Sequence, residues 1–131
     1  MVKQYLTSLL AFTLIDGMWL ALIAPSFYKS HIGHLMSPQP DLLAAGLFYL
    51  LFLIGLNIFV INAHRGKSLT MVTLYGGLFG LITYATFDLT SVAVFTDFPY
   101  LVAAVDMAWG SILCASISFI TARFNHTYRA S

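Results

Sequence analysis

The stretch Leu42–Asn62, LLAAGLFYLLFLIGLNIFVIN, carries no charged side chain from end to end. A helix rises ~1.5 Å per residue, so a run of this length crosses the roughly 30 Å hydrocarbon core of a bilayer. Similar runs flank it at Tyr5–Phe27, Leu69–Val92 and Tyr100–Ala122. These are continuous apolar segments without the alternation of barrel strands, and a helix satisfies its own backbone in lipid, so the chain reads as an all-α membrane protein. The linkers are short, which makes consecutive helices antiparallel neighbours. The expected architecture is one up-down-up-down bundle of four transmembrane helices over residues 1–131.

Composition agrees. Of 131 residues, 60% are hydrophobic and 8% charged, with a mean hydropathy of +0.86. A soluble domain of this size carries roughly a quarter charged residues on its wetted surface. The net charge of +1 leaves no basic surface for nucleic acid. The single cysteine, Cys114, lies in an apolar run, which leaves out a disulfide framework and a cysteine-ligated zinc site. The first run, with Lys3 ahead of it and small residues at Ala21 and Ala24, has some features of a secretory signal. Asp16 within it and Pro25 just after favour a retained helix.

Basic residues set the expected orientation. Lys3, Arg65, Lys67, Arg123 and Arg129 fall on one side of the membrane and Lys29 alone on the other. Both termini are therefore expected in the cytoplasm, with His31–Asp41 and Ala93–Pro99 as outer loops.

The acidic residues are the expensive ones. Asp41 and Asp97 lie in loops or at helix starts, where a short carboxylate caps free N–H groups. Asp16, Asp88 and Asp106 fall within predicted spans, where a central Asp costs roughly 2.5–3.5 kcal/mol on insertion scales. Helical spacing groups their neighbours. Ser8, Phe12, Asp16 and Trp19 share one face; Gly77, Gly80, Tyr84 and Asp88 form a second stripe; Asp106, Gly110, Cys114 and Ser118 form a third, rich in small residues. The second span offers Tyr49 and Asn57 as polar partners. Asp16-Gly-Met-Trp19 and Asp106-Met-Ala-Trp109 each place an indole one turn from a carboxylate. The indole N–H of one helix can then satisfy the Asp of the other, with packing as the alternative role for both rings.

These segments, together with Phe27-Tyr28, Tyr84-Ala-Thr-Phe-Asp-Leu-Thr90 and Asp106-Met-Ala-Trp-Gly110, resemble the bacterial membrane-protein family catalogued as domain of unknown function 2177. The resemblance spans nearly the whole chain, and Tyr84–Thr90 is its most specific part. Such proteins typically continue with Asn, where this chain has Ser91. The resemblance implies a small four-helix inner-membrane protein and no established activity or cofactor.

Function is therefore argued from the polar residues. The favoured expectation is binding or modification of a lipid or other apolar small molecule. Asp16, Asp88 and Asp106 would be the catalytic carboxyls, and Trp19, Tyr84, Trp109, Tyr49 and Asn57 would line the site. Two carboxyls sharing such a site titrate as a pair, one holding a proton that it can donate, which makes Asp16 and Asp106 a candidate acid–base dyad with Tyr84 as an orienting donor. No Gly-x-Ser-x-Gly nucleophile motif occurs. Whether the chain is an enzyme stays open. A proton-coupled carrier is a second reading, since intramembrane carboxylates mark ion paths. It would require a homo-oligomer, for which Gly76-x-x-x-Gly80 offers a close helix contact. A metal site at His31 and His34, with Asp41 or Asp97, is a third reading, although ordinary interfacial histidines are favoured there. The fourth is a structural or accessory subunit, with the Asp residues bonding helix to helix.

Overall fold

A computed structural model describes residues 1–125. Helix α1 spans Val2–Leu22, α2 Ala24–Ile32, α3 Leu42–Leu56, α4 Leu69–Val94 and α5 Tyr100–Asn125. A 3-10 turn at Gly33–Leu35 follows α2, and a π-helical turn at Asn57–Asn62 continues α3. Four helices are long and apolar enough to cross a membrane: α1, α3 with its π-helical extension, α4 and α5.

The helix starts follow local chemistry. Asp41 caps α3 by accepting the Ala44 N–H at 3.1 Å, and Ser68 caps α4 by accepting the Met71 N–H at 3.1 Å. Gly66, at φ 83°, makes the tight turn before α4 in a conformation that L side chains avoid.

The first span departs from the sequence expectation. Instead of one helix over Tyr5–Phe27, α1 stops at Leu22 and α2 starts at Ala24. Pro25 explains the break: it has no N–H for the carbonyl four residues earlier, at Ala21, and its ring crowds that carbonyl. The first turn of a new helix tolerates it, and Pro25 sits there. The break redirects the chain so that Tyr28 returns to the end of the bundle, above α5.

Packing centres on α4 and α5. Gly76 and Gly80 of α4 face Ser118, Cys114 and Gly110 of α5, and Gly110 in turn lies under the Tyr84 ring. This register is antiparallel. A Cβ at Gly76, Gly80 or Gly110 would collide with the opposing helix or ring, so hydrogen atoms at these positions permit the close approach. The Ser111 hydroxyl crosses the seam to the Gly77 carbonyl at 2.9 Å. The Gly76–Gly80 pair, expected as a possible contact between copies, is thus occupied within the chain.

Helix α1 shows how the molecule is turned inside out relative to a soluble bundle. Its buried face carries Gln4, Ser8, Ala11, Phe12 and Asp16, while Leu6, Leu10, Leu14 and Met18 stand exposed at every fourth position. Exposed leucines are costly in water and at home in lipid. The apolar core, with Leu53, Leu56, Ile61, Val72, Leu113 and Ile117 wholly buried, fills the half of the molecule near the π-helical turn. There the π-helical turn packs against α4. Farther along, the contact between α3 and α4 passes to ring pairs, Phe52 with Phe79 and with Tyr84, and beyond these the helices stand apart around a cleft.

Candidate functional site

The cleft has a volume of about 480 Å³ and lies among α1, α2, α3, α4 and α5. Asp16 and Asp106 both line it, with Trp19, Tyr28, Tyr49, Tyr84 and Trp109. The stripes on α1 and α5 therefore converge.

Asp16 is buried on the inner face of α1. It accepts the Trp109 indole N–H at 3.1 Å and, more weakly, the Tyr49 hydroxyl at 3.5 Å. The first bond ties α1 to α5 and the second ties α1 to α3. The indole of one Asp-x-x-Trp segment thus satisfies the carboxylate of the other, the pairing that the repeated pattern suggested. The reciprocal bond does not form. Trp19 stacks on Trp109 instead, with ring centroids 4.5 Å apart and planes 9° from parallel.

Asp106, half-buried on α5, takes its donor from α2: the Tyr28 hydroxyl lies 2.5 Å from Oδ1. Burial first, and then this bond to a carboxylate, hold the Tyr28 phenol above its ordinary pKa of 10.0. Sequence reasoning noted Tyr28 only within the Phe27-Tyr28 segment of the family resemblance, with no role in the site. The available signal was Pro25 three residues earlier, which marks the turn that brings the phenol back.

Asp88 is wholly buried on α4 and does not line the cleft. It lies within interaction range of Asp106, yet among the described residues neither of its oxygens has a hydrogen-bond partner of normal geometry. The expected dyad was Asp16 with Asp106; both line the cleft within electrostatic range of one another, while Asp88 also interacts with Asp106 and Asp16 has donors of its own. Tyr84, expected to orient the acids as a donor, lays its ring over Gly110 and does not bond to Asp88.

Asn57 belongs elsewhere. It accepts from Gln4 at 2.8 Å and donates to Ser8 at 2.9 Å and to the Leu53 carbonyl at 2.8 Å. Gln4 extends this network to Asn62 at 3.0 Å, and Arg65 donates to Gln4 at 3.2 Å. The network borders a separate, mostly apolar cavity of about 310 Å³. It also anchors the start of the π-helical turn, where the Asn57 amide donates to the Leu53 carbonyl.

The outer histidines are not gathered. His31 Nδ1 lies 2.8 Å from the Phe27 carbonyl, while His34 faces Asp97 at 3.7 Å with both side chains exposed. Among the described residues no group of three His, Cys, Asp or Glu side chains is placed to hold a metal ion. Phe48 and Phe87 also line the cleft wall. Phe87 lies in the Tyr84–Thr90 segment that carries the resemblance, whereas nothing in the apolar run of the second span set Phe48 apart.

A family model described as a predicted membrane protein, DUF2177, matches residues 1–123. No curated protein and no solved structure shows significant similarity to the chain.

Proposed function

The chain belongs to the DUF2177 family of predicted membrane proteins, and on that premise we propose that it is a small bacterial inner-membrane protein that binds or modifies a lipid or other apolar molecule in the cleft. The carrying observation is the cleft itself: about 480 Å³ of mainly apolar and aromatic wall with two carboxylates held by Trp109, Tyr49 and Tyr28. Small-molecule sites have this character, a cavity of ~300–1,000 Å³ with few, convergent polar groups. Ionisable groups inside a span point to function by default because they are costly there. In this reading the helices cross the bilayer up-down-up-down with both termini cytoplasmic, and the cleft opens between α3 and α4 toward lipid. Asp106 and Asp88 are then a pair able to share a proton, and Asp16 is an acceptor held by Trp109 and Tyr49 in the same cleft.

One observation favours a structural reading as well. The Trp109–Asp16 bond joins α1 to α5, so Asp16 serves packing whatever else it does. Native mass spectrometry of the gently extracted protein separates the two. A discrete lipid or small-molecule mass retained by the parent and lost in Asp16→Asn and Asp106→Asn supports the ligand site. A bare protein, or random lipid unaffected by the substitutions, overturns it in favour of the structural role. The same spectrum reads the oligomeric state that a carrier of four helices would need.

A further inference from the structure

The cleft also selects among head groups, an inference that rests on its being a ligand site. Among the described residues its lining carries two carboxylates, Asp16 and Asp106, and no Lys, Arg or His. Behind Asp106 stands Asp88, wholly buried and within interaction range of it, with neither oxygen having a hydrogen-bond partner of normal geometry among the described residues. The donors that reach Asp16 and Asp106 are an indole and two phenols. Neutral donors satisfy lone pairs but cancel no charge, so negative charge on this cluster has no counter-charge in the cleft. An anionic head, whether phosphate, sulfate or carboxylate, would meet like charge.

The remaining wall points the same way. Trp19 and Trp109 present their stacked indoles, and Phe48, Tyr84 and Phe87 add further rings. Aromatic faces attract cations, and most strongly where water is excluded. Carboxylates and ring faces in one cavity supply the two things that an alkylated ammonium needs, a counter-charge and a polarisable apolar surround.

We propose that the cleft binds an amphipathic cation: an apolar molecule whose ammonium head rests against Asp106 and Asp16. Its apolar body lies across the aromatic wall toward lipid. Asp88 stands behind Asp106 as the partner with which it can share a proton, and does not touch the ligand.

The two tryptophans of the chain both line the cleft, so tryptophan fluorescence, excited selectively, reports on this site. The full chain in neutral maltoside micelles is titrated with octyltrimethylammonium, octyl sulfate and octanol. The expected result is a saturable change with the ammonium and none with the sulfate. Asp106→Asn should weaken the ammonium response by about tenfold or more, as truncating a desolvated charge pair does. Asp16→Asn should also weaken it while keeping an acceptor for Trp109, so a fold change is not the cause; circular dichroism checks this. Saturable responses of equal strength to all three probes overturn the cation preference and leave the lipid-site reading standing. An ammonium response undiminished in both variants overturns the placement of the head. No saturable response to any probe, with no retained ligand in native mass spectrometry, overturns both the preference and the site.

Discussion

Tyr28 is where a single side chain carries the most consequence. It is the donor to Asp106, and burial together with that bond raises its pKa above 10.0. The native state then holds a proton that the unfolded chain gives up. The resulting stability is fully present below about pH 10 and is lost as pH rises from there toward the native pKa. The thermal midpoint should therefore fall steeply above pH 10, and less steeply in Tyr28→Phe. In a difference titration of parent against Tyr28→Phe, the phenolate band of Tyr28 should develop only with unfolding. Its appearance near pH 10 in the folded protein would show that Tyr28 is not buried against Asp106. At the same scale, Asp16 and Asp106 behave as different groups, although each begins an Asp-x-x-Trp segment. One faces an indole and a phenol, the other a phenol and a second carboxyl.

Among the elements, the α4–α5 seam holds the molecule together and the α1–α2 break shapes its site. A Cβ at Gly80 would run into the Gly110 backbone, which has no rotamer with which to yield. Gly80→Ala should therefore destabilise by about 1–3 kcal/mol, the usual range for overpacking. Gly17 is the control, since a Cβ there meets nothing within 4 Å. Gly17→Ala should be neutral or stabilise by roughly 0.5–1 kcal/mol through helix propensity. Thermal unfolding in one detergent compares the two, and equal midpoints would show that the seam tolerates separation. The glycine stripes and the small residues of α5 were legible in the sequence, because close approach leaves a mark at helical spacing. Their partner was not, because a Gly-x-x-x-Gly face serves a neighbouring helix and a second copy equally well. The break at Ile23 was also hidden. Hydropathy runs on through Pro25, and only the missing N–H divides the span.

At the level of the whole molecule, the distribution of basic residues makes a topological prediction. Lys3, Arg65, Lys67 and Arg123 lie at the end that holds the α3–α4 linker and Lys29 at the other, while Arg129 lies outside the described residues. Cys114, the single thiol, is wholly buried and gives no labelling background. With both termini cytoplasmic, a membrane-impermeant thiol reagent should label Ser37→Cys on intact cells and Ala63→Cys only after permeabilisation. The reverse pattern would invert the orientation and, with it, the side toward which the cleft lies. The exposed apolar face of α1 and the buried Gln4, Ser8 and Asp16 behind it are the same statement made by the fold. Lipid rewards an apolar exterior, so polar groups gather inside.

The sequence alone determined that this is a membrane protein with four spans and that three carboxylates lie where each is costly, because hydropathy and span length are additive along the chain. It also showed the face of α1 that turns inward, through the fourfold spacing of Ser8, Phe12 and Asp16. Tertiary structure decided the pairings. It brought Asp88 within reach of Asp106 as well as Asp16, matched Trp109 but not Trp19 to a carboxylate, and withdrew Asn57 into a separate network. Such choices depend on helix rotation and on a kink of a few residues. A rotation by one position, ~100° in a helix of 3.6 residues per turn, moves a side chain from one neighbour to another without altering the pattern that a linear reading can see.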